Sequence, residues 1–316
     1  MRNMVKLMNR FFKYLKNPLR AYLLVSFKGR FKWVPDRLHL KICYRAAFGK
    51  KLRIDAPESF NEKLQWLKLY DRNPLYTTLV DKYEVKNWVA ERIGSRYVVP
   101  TLDLFETIDQ IDYDQLPKQF ALKCTHDSGG LIICRDKDKL DIHHAQSLLK
   151  KALSTNYYYT AREWPYKNVH PRIMAEQYLD AEDSLGLTDY KFYCFNGEPK
   201  FLYVSKGLEN HATAQISFLT LQWEFAPYRR DDFMPFQELP PKPASFDEML
   251  RLSKILSENI PFVRVDFYEY RGRPIFSEMT FTPCGGFMKF APDEWDARIG
   301  TLLQLEGAYG FTNPNM

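Results

Sequence analysis

Between Ile260 and Gly286 the chain reads IPFVRVDFYEYRGRPIFSEMTFTPCGG, the pattern of a hairpin whose two faces differ in kind. Side chains alternate across a strand, so Val263, Val265 and Phe267 share one side while Arg264 and Asp266 share the other. Tyr270 to Pro274 carries the turn signal, and Glu278 and Thr280 return on a second strand with the same two-residue alternation. Antiparallel pairing brings two carboxylates together across the ladder. Ionised carboxylates in that position repel, so a cation or a shared proton is required between them. The hairpin therefore predicts a metal site.

A chain of 316 residues exceeds one small core, and two or three packed subdomains are expected. Its apolar and charged fractions are those of an ordinary globular enzyme. Charge placement is the unusual feature: residues 1–53 hold fifteen Lys or Arg against one acid, a net +14, and the remainder is −8. Such a basic amino end favours an anionic surface, with lipid headgroups and nucleic acid as the rival partners. The five cysteines, Cys43, Cys124, Cys134, Cys194 and Cys284, are odd in number and lack CxxC spacing, which argues against a disulfide framework or a zinc site. His143 and His144 follow Asp141 in what reads as the exposed first turn of a helix. The apolar run Ala21 to Val25 is far too short to span a bilayer, and Lys6, Arg10, Lys13 and Lys16 interrupt any signal-peptide core. A cytoplasmic location is expected, with peripheral association at the inner face of the cell membrane as its variant.

Met4, Leu7, Met8, Phe11, Phe12 and Leu15 recur at helical spacing among Arg2, Lys6, Arg10, Lys13 and Lys16, until Asn17-Pro18 ends the pattern. Such a helix lies in a membrane interface or packs its stripe on the body, and both readings stay open. Helical spacing dominates Ser59 to Ile93, and Pro100 begins a shift to strand and loop. Strands are predicted at Phe120 to Thr125, Leu131 to Cys134, Arg172 to Glu176, Tyr190 to Phe195, Lys200 to Val204 and Ile216 to Leu221. Helices are predicted through Ala145 to Ala152 and near Glu248 to Leu256. Strand pairs mixed with helices indicate an α+β body. The expected division is a basic extension at 1–32, a helical or mixed subdomain at 33–118, a small central lobe at 119–180 and a carboxy-terminal lobe at 181–316.

Several scattered motifs share one requirement. In FALKCTHDSGG, strand residue Lys123 precedes a Ser-Gly-Gly turn, where backbone N–H groups can approach phosphate oxygens beside a compact positive charge. A plain β-hairpin turn with an incidental lysine is the alternative. PRIMAEQYL places Glu176 at the end of an apolar strand, suited to a ribose contact or to capping a helix. DYKFYCFNGEPKFLYV turns at Asn196-Gly197 and puts Asp189 and Lys191 on one face. The aromatics of NYYYTAREWPY, namely Tyr157, Tyr158, Tyr159, Trp164 and Tyr166, can stack on a sugar or pack between lobes.

In this order the chain resembles the ATP-grasp superfamily, and more narrowly its TupA-like branch, associated with teichuronopeptide and surface polysaccharide biosynthesis. VDKYEVKNWV matches the family's DK helix with Asp81 and Lys82, LKCTHDSGG its strand lysine and glycine loop, AEQYL its hinge, and VRVDF with SEMT its metal hairpin. SFNEKLQWLKLYDRNPLY, REWPYKNVHPRIMAEQYL and EMTFTPCGG carry the narrower likeness. The resemblance implies the ATP-grasp fold, two α+β lobes gripping a nucleotide, here with a helical basic extension. It implies that Lys82 and Lys123 hold ATP phosphates, that Ser128, Gly129 and Gly130 close over them, and that Glu176, Gln177, Tyr178 and Leu179 grip the nucleoside. Lys191 and Arg264 would steady the transferring phosphoryl group, and Asp266 and Glu278 would hold one or two Mg²⁺ ions. Thr280 stands where the wider family carries Asn and would supply a hydroxyl as third ligand.

The implied reaction is that of a carboxylate–amine ligase forming an amide through an acyl phosphate, with one substrate a glycan-linked uronate or amino acid and no nucleic acid partner. Three alternatives stand beside it: a glycan kinase using the same nucleotide site, a metal-dependent glycosyltransferase reading Asp112-x-Asp114 or Asp136-x-Asp138 as its DxD pair, and a nucleotide-binding module without catalysis.

Overall fold

A computed structural model describes residues 18–127, 129–180, 186–208 and 213–306. The helix read from residues 1–17, and Ser128 of the glycine loop, lie outside the described residues. An amino-terminal helical layer contains α1 (Pro18–Ser26), α2 (Asp36–Phe48), α3 (Phe60–Tyr70), α4 (Leu75–Val80) and α5 (Glu84–Ile93). The largely helical segment expected from Ser59 to Ile93 is three helices. Pro74 cannot donate to a preceding turn, and Asp81 leaves the helical region to cap the next helix from its side chain. α3 starts at a reciprocal cap, in which the Ser59 hydroxyl accepts from Glu62 N–H and the Glu62 carboxylate accepts from Ser59 N–H.

The small sheet is antiparallel, in the order β1 (Thr101–Phe105), β4 (Ile173–Gln177), β2 (Phe120–Cys124), β3 (Leu131–Cys134). Phe120, Leu122, Ile173 and Ala175 point to one side and form a core with Leu149 and Ala152 of α6 (Ile142–Leu153). The other side carries Lys123 and Glu176 by strict alternation. Asp141 caps α6, and His143 and His144 lie exposed in its first turn. β1, which the sequence did not announce, is an edge strand with a bulge and a mostly exposed surface, so its apolar alternation is weak.

The large sheet is also antiparallel, in the order β10 (Arg273–Thr280), β9 (Phe262–Tyr270), β5 (Asp189–Phe195), β6 (Glu198–Lys206), β7 (Gln215–Thr220). Asn196 and Gly197 both have positive φ, the geometry that a two-residue hairpin turn demands, and Arg271 and Gly272 repeat it between β9 and β10. One face buries Phe192, Leu202, Val263, Val265 and Phe267 against Met249, Leu252 and Leu256 of α8 (Phe246–Leu256). The opposite face is divided. At one end Tyr193, Phe195, Phe201, Phe218 and Phe262 pack as an aromatic block with Phe60 and Leu64 of α3. Toward the other end the same strands carry Lys191, Asp189, Arg264 and Asp266.

A two-residue ribbon, β8 (Arg229–Arg230) with β11 (Phe290–Ala291), and the short helices α7 (Tyr158–Ala161) and α9 (Glu294–Gly300) complete the described chain. All five cysteines are free. No helix among the described residues is long and apolar enough to cross a membrane.

Candidate functional site

The charged half of the large sheet faces the open side of the small sheet across a cavity of about 420 Å³. Lys82, Lys123, Gly130, Tyr178 and Leu179 line it from the small-sheet side; Lys191, Asp189, Tyr268, Ser277 and Glu278 line it from the large sheet. Eight residues singled out by motif, from segments far apart in sequence, therefore meet at one opening. A roomier groove of about 560 Å³ beside Phe218, Tyr228 and Pro292 has no Lys, Asp or Glu in its lining and lacks the ingredients for the same chemistry.

On the small-sheet side Glu176 is buried between two ammonium groups, 2.5 Å from Lys123 Nζ and 2.5 Å from Lys86 Nζ. Burial opposes its ionisation, but the two lysines outweigh burial and hold the carboxyl below its ordinary range. Burial likewise opposes the charge on Lys123, and Glu176 overcomes it; for Lys86 burial prevails and the ammonium is pushed down. Lys86 is anchored by the carbonyl of Val99 at 2.8 Å and reaches Glu176 from α5, outside the lining of the cavity. Lys82 follows Asp81, whose carboxylate is fixed by Arg172 at 3.0 Å, and its ammonium donates to the carbonyl of Asp127 in the glycine loop. Leu131, Ile133 and Leu179 give this wall an apolar shelf.

The glycines of the loop differ in purpose. A Cβ on Gly130 would fall 2.6 Å from Cys124 Sγ and 2.8 Å from Ala152 Cβ, and its N–H is held by the Asp127 carboxylate at 3.1 Å. Gly130 is thus required for packing the loop onto α6. Gly129 has room around it and is exposed.

On the large sheet Asp266 is completely buried, and both its oxygens are engaged. Arg264 donates Nε to Oδ1 at 2.7 Å and Nη2 to Oδ2 at 2.5 Å, and Lys191 Nζ reaches Oδ2 at 2.7 Å. Lys191 also pairs with Asp189 at 3.0 Å. Burial alone would discharge these groups. The carboxylates hold Lys191 well above its usual range, while Arg264 and Lys191 hold Asp266 below its own.

Glu278 is the register partner of Asp266, and Thr280 that of Arg264. A bulge between Phe276 and Glu278 resets the alternation, so Phe276 stays in the apolar core while Glu278 turns to the charged face. Arg264 Nη2 then spans the gap, 3.0 Å from Glu278 Oε1 and 2.9 Å from Thr280 Oγ1. The cation demanded by two facing carboxylates is supplied by the chain's own guanidinium.

Magnesium takes hard oxygen donors and leaves much of its shell to water and phosphate. Asp266 and Glu278 are donors of that type, and Glu278, 38% exposed at the cavity wall, is the accessible one. The set fits the ion with Glu278 foremost; Asp266, both of whose oxygens are engaged, would hold it only in place of one of its present pairs. Among the described residues no three His, Cys, Asp or Glu side chains form a ready metal cage.

A second convergence lies at the end of β10. Lys68 of α3, fully buried, donates to the carbonyls of Ala161 at 2.8 Å and of Gly285, and Gln65 donates to Gly286 O at 2.6 Å. Thr282 donates to the buried Glu163. Burial pushes Lys68 down to about 8 and Glu163 up.

A family profile described as TupA-like ATPgrasp matches residues 62–304. The chain belongs to the TupA-like ATP-grasp family. Its two sheets with their helices form the ATP-grasp fold, and the matched span holds every lysine and carboxylate of the cavity. Comparison with curated proteins returned no match. Among solved structures, the chain is similar to D-alanine–D-alanine ligase from Bacillus anthracis complexed with ATP (14% identity, TM-score 0.37, 65% of this chain and 54% of that one). It is similar also to the ATP-grasp ligase PsnB complexed with a minimal precursor, Mg and ADP (10%, 0.37, 70% and 58%), and to the D-cycloserine synthetase DcsG (14%, 0.39, 73% and 71%). The chain spans little more than half the length of the first two.

Of the residues expected in this TupA-like ATP-grasp site, Glu176 lies beneath Lys123 in an ion pair, Gln177 is exposed on the Phe120 face of the sheet and outside the cavity lining, and Arg264 and Asp266 form the floor under Glu278. Lys86, Asp127 and Tyr268 escaped sequence reasoning. Lys86 stands four residues after Lys82 in the DK segment, and Asp127 sits inside the loop motif, so both had a local signal; Tyr268 had only its alternation with Asp266. The aromatic run packs within the protein: Tyr157 meets Tyr166 edge-on at 4.8 Å, and Trp164 lies under Arg72 at 5.4 Å. Asp112 and Asp136 accept from the backbone N–H of Asp114 and Asp138, as turn-forming aspartates do, outside the cavity.

Proposed function

We propose that this TupA-like ATP-grasp protein is an ATP-dependent carboxylate–amine ligase acting through an acyl phosphate, and that it joins an amino acid to a uronate or amino acid of a bacterial surface polysaccharide. The observation that carries the reading is the meeting of Lys82, Lys123, Lys191 and Glu278 around one cavity. Three ammonium groups suit a triphosphate, and a half-exposed carboxylate beside them suits the cation that accompanies it.

In this reading Lys82 and Lys123 anchor the phosphates, Tyr178, Leu179 and the shelf of Leu131 and Ile133 receive the nucleoside, and Lys191 faces the phosphoryl group in transfer. Glu278, with Asp266 and Thr280 behind it, would hold Mg²⁺, which when bound neutralises phosphate charge. A substrate carboxylate oxygen attacks the γ phosphorus and ADP leaves. The amine nitrogen then attacks the acyl carbon, phosphate departs, and the nitrogen gives up its proton. Positioned charges do most of this work, and the loop carrying Gly129 closes the site against hydrolysis of the acyl phosphate. An acceptor hung from a lipid carrier accords with a peripheral membrane contact through residues 1–17.

The test is an ADP-release screen over amino acids and uronates with hydroxylamine present. A trapped hydroxamate is the expected product. ADP with a phosphorylated sugar and no hydroxamate would replace the ligase by a kinase, and no ADP with any pairing would leave a binding module.

A further inference from the structure

Ahead of the span matched by the family, residues 18–53 carry ten Lys or Arg and a single acid, Asp36. That acid is withdrawn into the fold. Asp36 Oδ1 lies 3.0 Å from Arg162 Nε, and its other oxygen accepts from the Tyr158 hydroxyl. The turn between α1 and α2 is left uniformly cationic: Lys28, Arg30 and Lys32 are exposed, and among the described residues no carboxylate pairs with them.

At the tip of this turn Trp33 exposes 80% of its surface, and Leu38, in the first turn of α2, exposes 51%. An indole standing free among lysines and arginines is the composition of an interfacial anchor, because the ring settles at headgroup level while the cations attract anionic lipid. A nucleic acid backbone would meet the same charges but leave the aliphatic surface of Leu38 uncovered. The turn is also held rigidly. Arg162, 1% exposed, donates Nη2 to Phe31 O at 2.6 Å and to Val34 O at 3.3 Å, gripping the backbone on both sides of Trp33. Its neighbour Glu163 takes the hydrogen bond from Thr282, two residues past the end of β10. The backbone that carries the indole is thus tied to the segment that packs against the end of β10.

We infer that the Trp33 turn is a docking surface for an anionic lipid bilayer, additional to any contact made by residues 1–17 and independent of the ligase reading. The experiment is sedimentation of the full chain with vesicles of phosphatidylglycerol and phosphatidylcholine, against vesicles of phosphatidylcholine alone. Each basic residue at an anionic surface contributes about fivefold in affinity, so the triple variant Lys28→Glu, Arg30→Glu, Lys32→Glu is expected to lose about 100-fold or more. Trp33→Ala is expected to weaken binding severalfold and to abolish its share of fluorescence quenching by brominated lipid. These side chains are exposed, so circular dichroism and ADP release with soluble substrates should stay as in the parent. Parent-like vesicle binding by both variants overturns the inference. So does complete loss of binding on deleting residues 1–17 alone, or tighter binding to duplex DNA that Trp33→Ala leaves unchanged.

Discussion

The two sheets meet one cavity with opposite arrangements of charge. The small sheet sets two lysines around a single carboxylate, Lys86 and Lys123 around Glu176, so that a positive charge is left over for an anion. The large sheet sets Lys191 and Arg264 among Asp189, Asp266 and Glu278, so that a negative charge is left over at Glu278, the member nearest solvent. In each cluster one carboxylate is sealed inside by two cations, and an incompletely matched group, Lys123 or Glu278, lines the cavity. The buried carboxylates fix the geometry of their neighbours; Glu278 is the one open to a ligand.

That contrast is easiest to break at the two register partners. Asp266→Asn removes the carboxylate that buried Arg264 and Lys191 share, leaving them only Glu278 and Asp189 respectively, and should lower unfolding free energy by roughly 3 kcal/mol in denaturant titration. Glu278→Gln should cost less than about 1 kcal/mol of stability, since its pairing is half-exposed, yet abolish ADP release. Equal stability losses in the two variants would erase the distinction between sealed and accessible carboxylates.

The lysine pair around Glu176 gives a second comparison of smaller size. Lys123→Met and Lys86→Met each leave Glu176 one partner, and similar stability losses of roughly 1–3 kcal/mol are expected. Only Lys123 faces the cavity, so only its loss should raise KM for ATP, by about tenfold, equivalent to ~1.4 kcal/mol. An equal rise in the Lys86 variant would show that the triad acts as a unit.

The last effect is a slope spread over a pH range and concerns Lys68, a buried cation belonging to neither sheet. Its pKa in the fold is lowered by burial to about 8, so between that value and its ordinary range the unfolded chain binds more protons. Its contribution to stability must rise as pH climbs through that window. Lys68→Met should flatten the rise, by on the order of 2 kcal/mol between pH 7 and 9.5, readable as thermal shifts. A slope identical to the parent's would place the proton elsewhere.

Much of this was legible in the chain. Alternation in VRVDF placed Arg264 and Asp266 opposite Val263 and Val265, and Asn196-Gly197 and Arg271-Gly272 announced their turns, because these signals are local. The bulge was not legible: strict alternation would set Phe276 and Glu278 on one face, and only packing of Phe276 in the core against a charged opposite face selects the extra residue. Nor could the sequence show that β5 inserts between β9 and β6, the long-range pairing that brings Lys191 opposite Asp266. With Lys191 in place and Arg264 reaching across the ladder, the carboxylates already have cations, a fact that residue types alone do not disclose. The closing of Glu176 by Lys86 was hidden for the same reason, since helix and strand meet only in three dimensions.

The divided face of the large sheet has a mechanical consequence. Strands that carry Lys191 and Asp266 are clamped a few residues away by the rings of Phe195, Phe201 and Phe262, so this wall behaves as an anvil. Any stroke that shuts the chamber must be delivered by the smaller sheet, and the speed of turnover would then report how freely that lighter part swings.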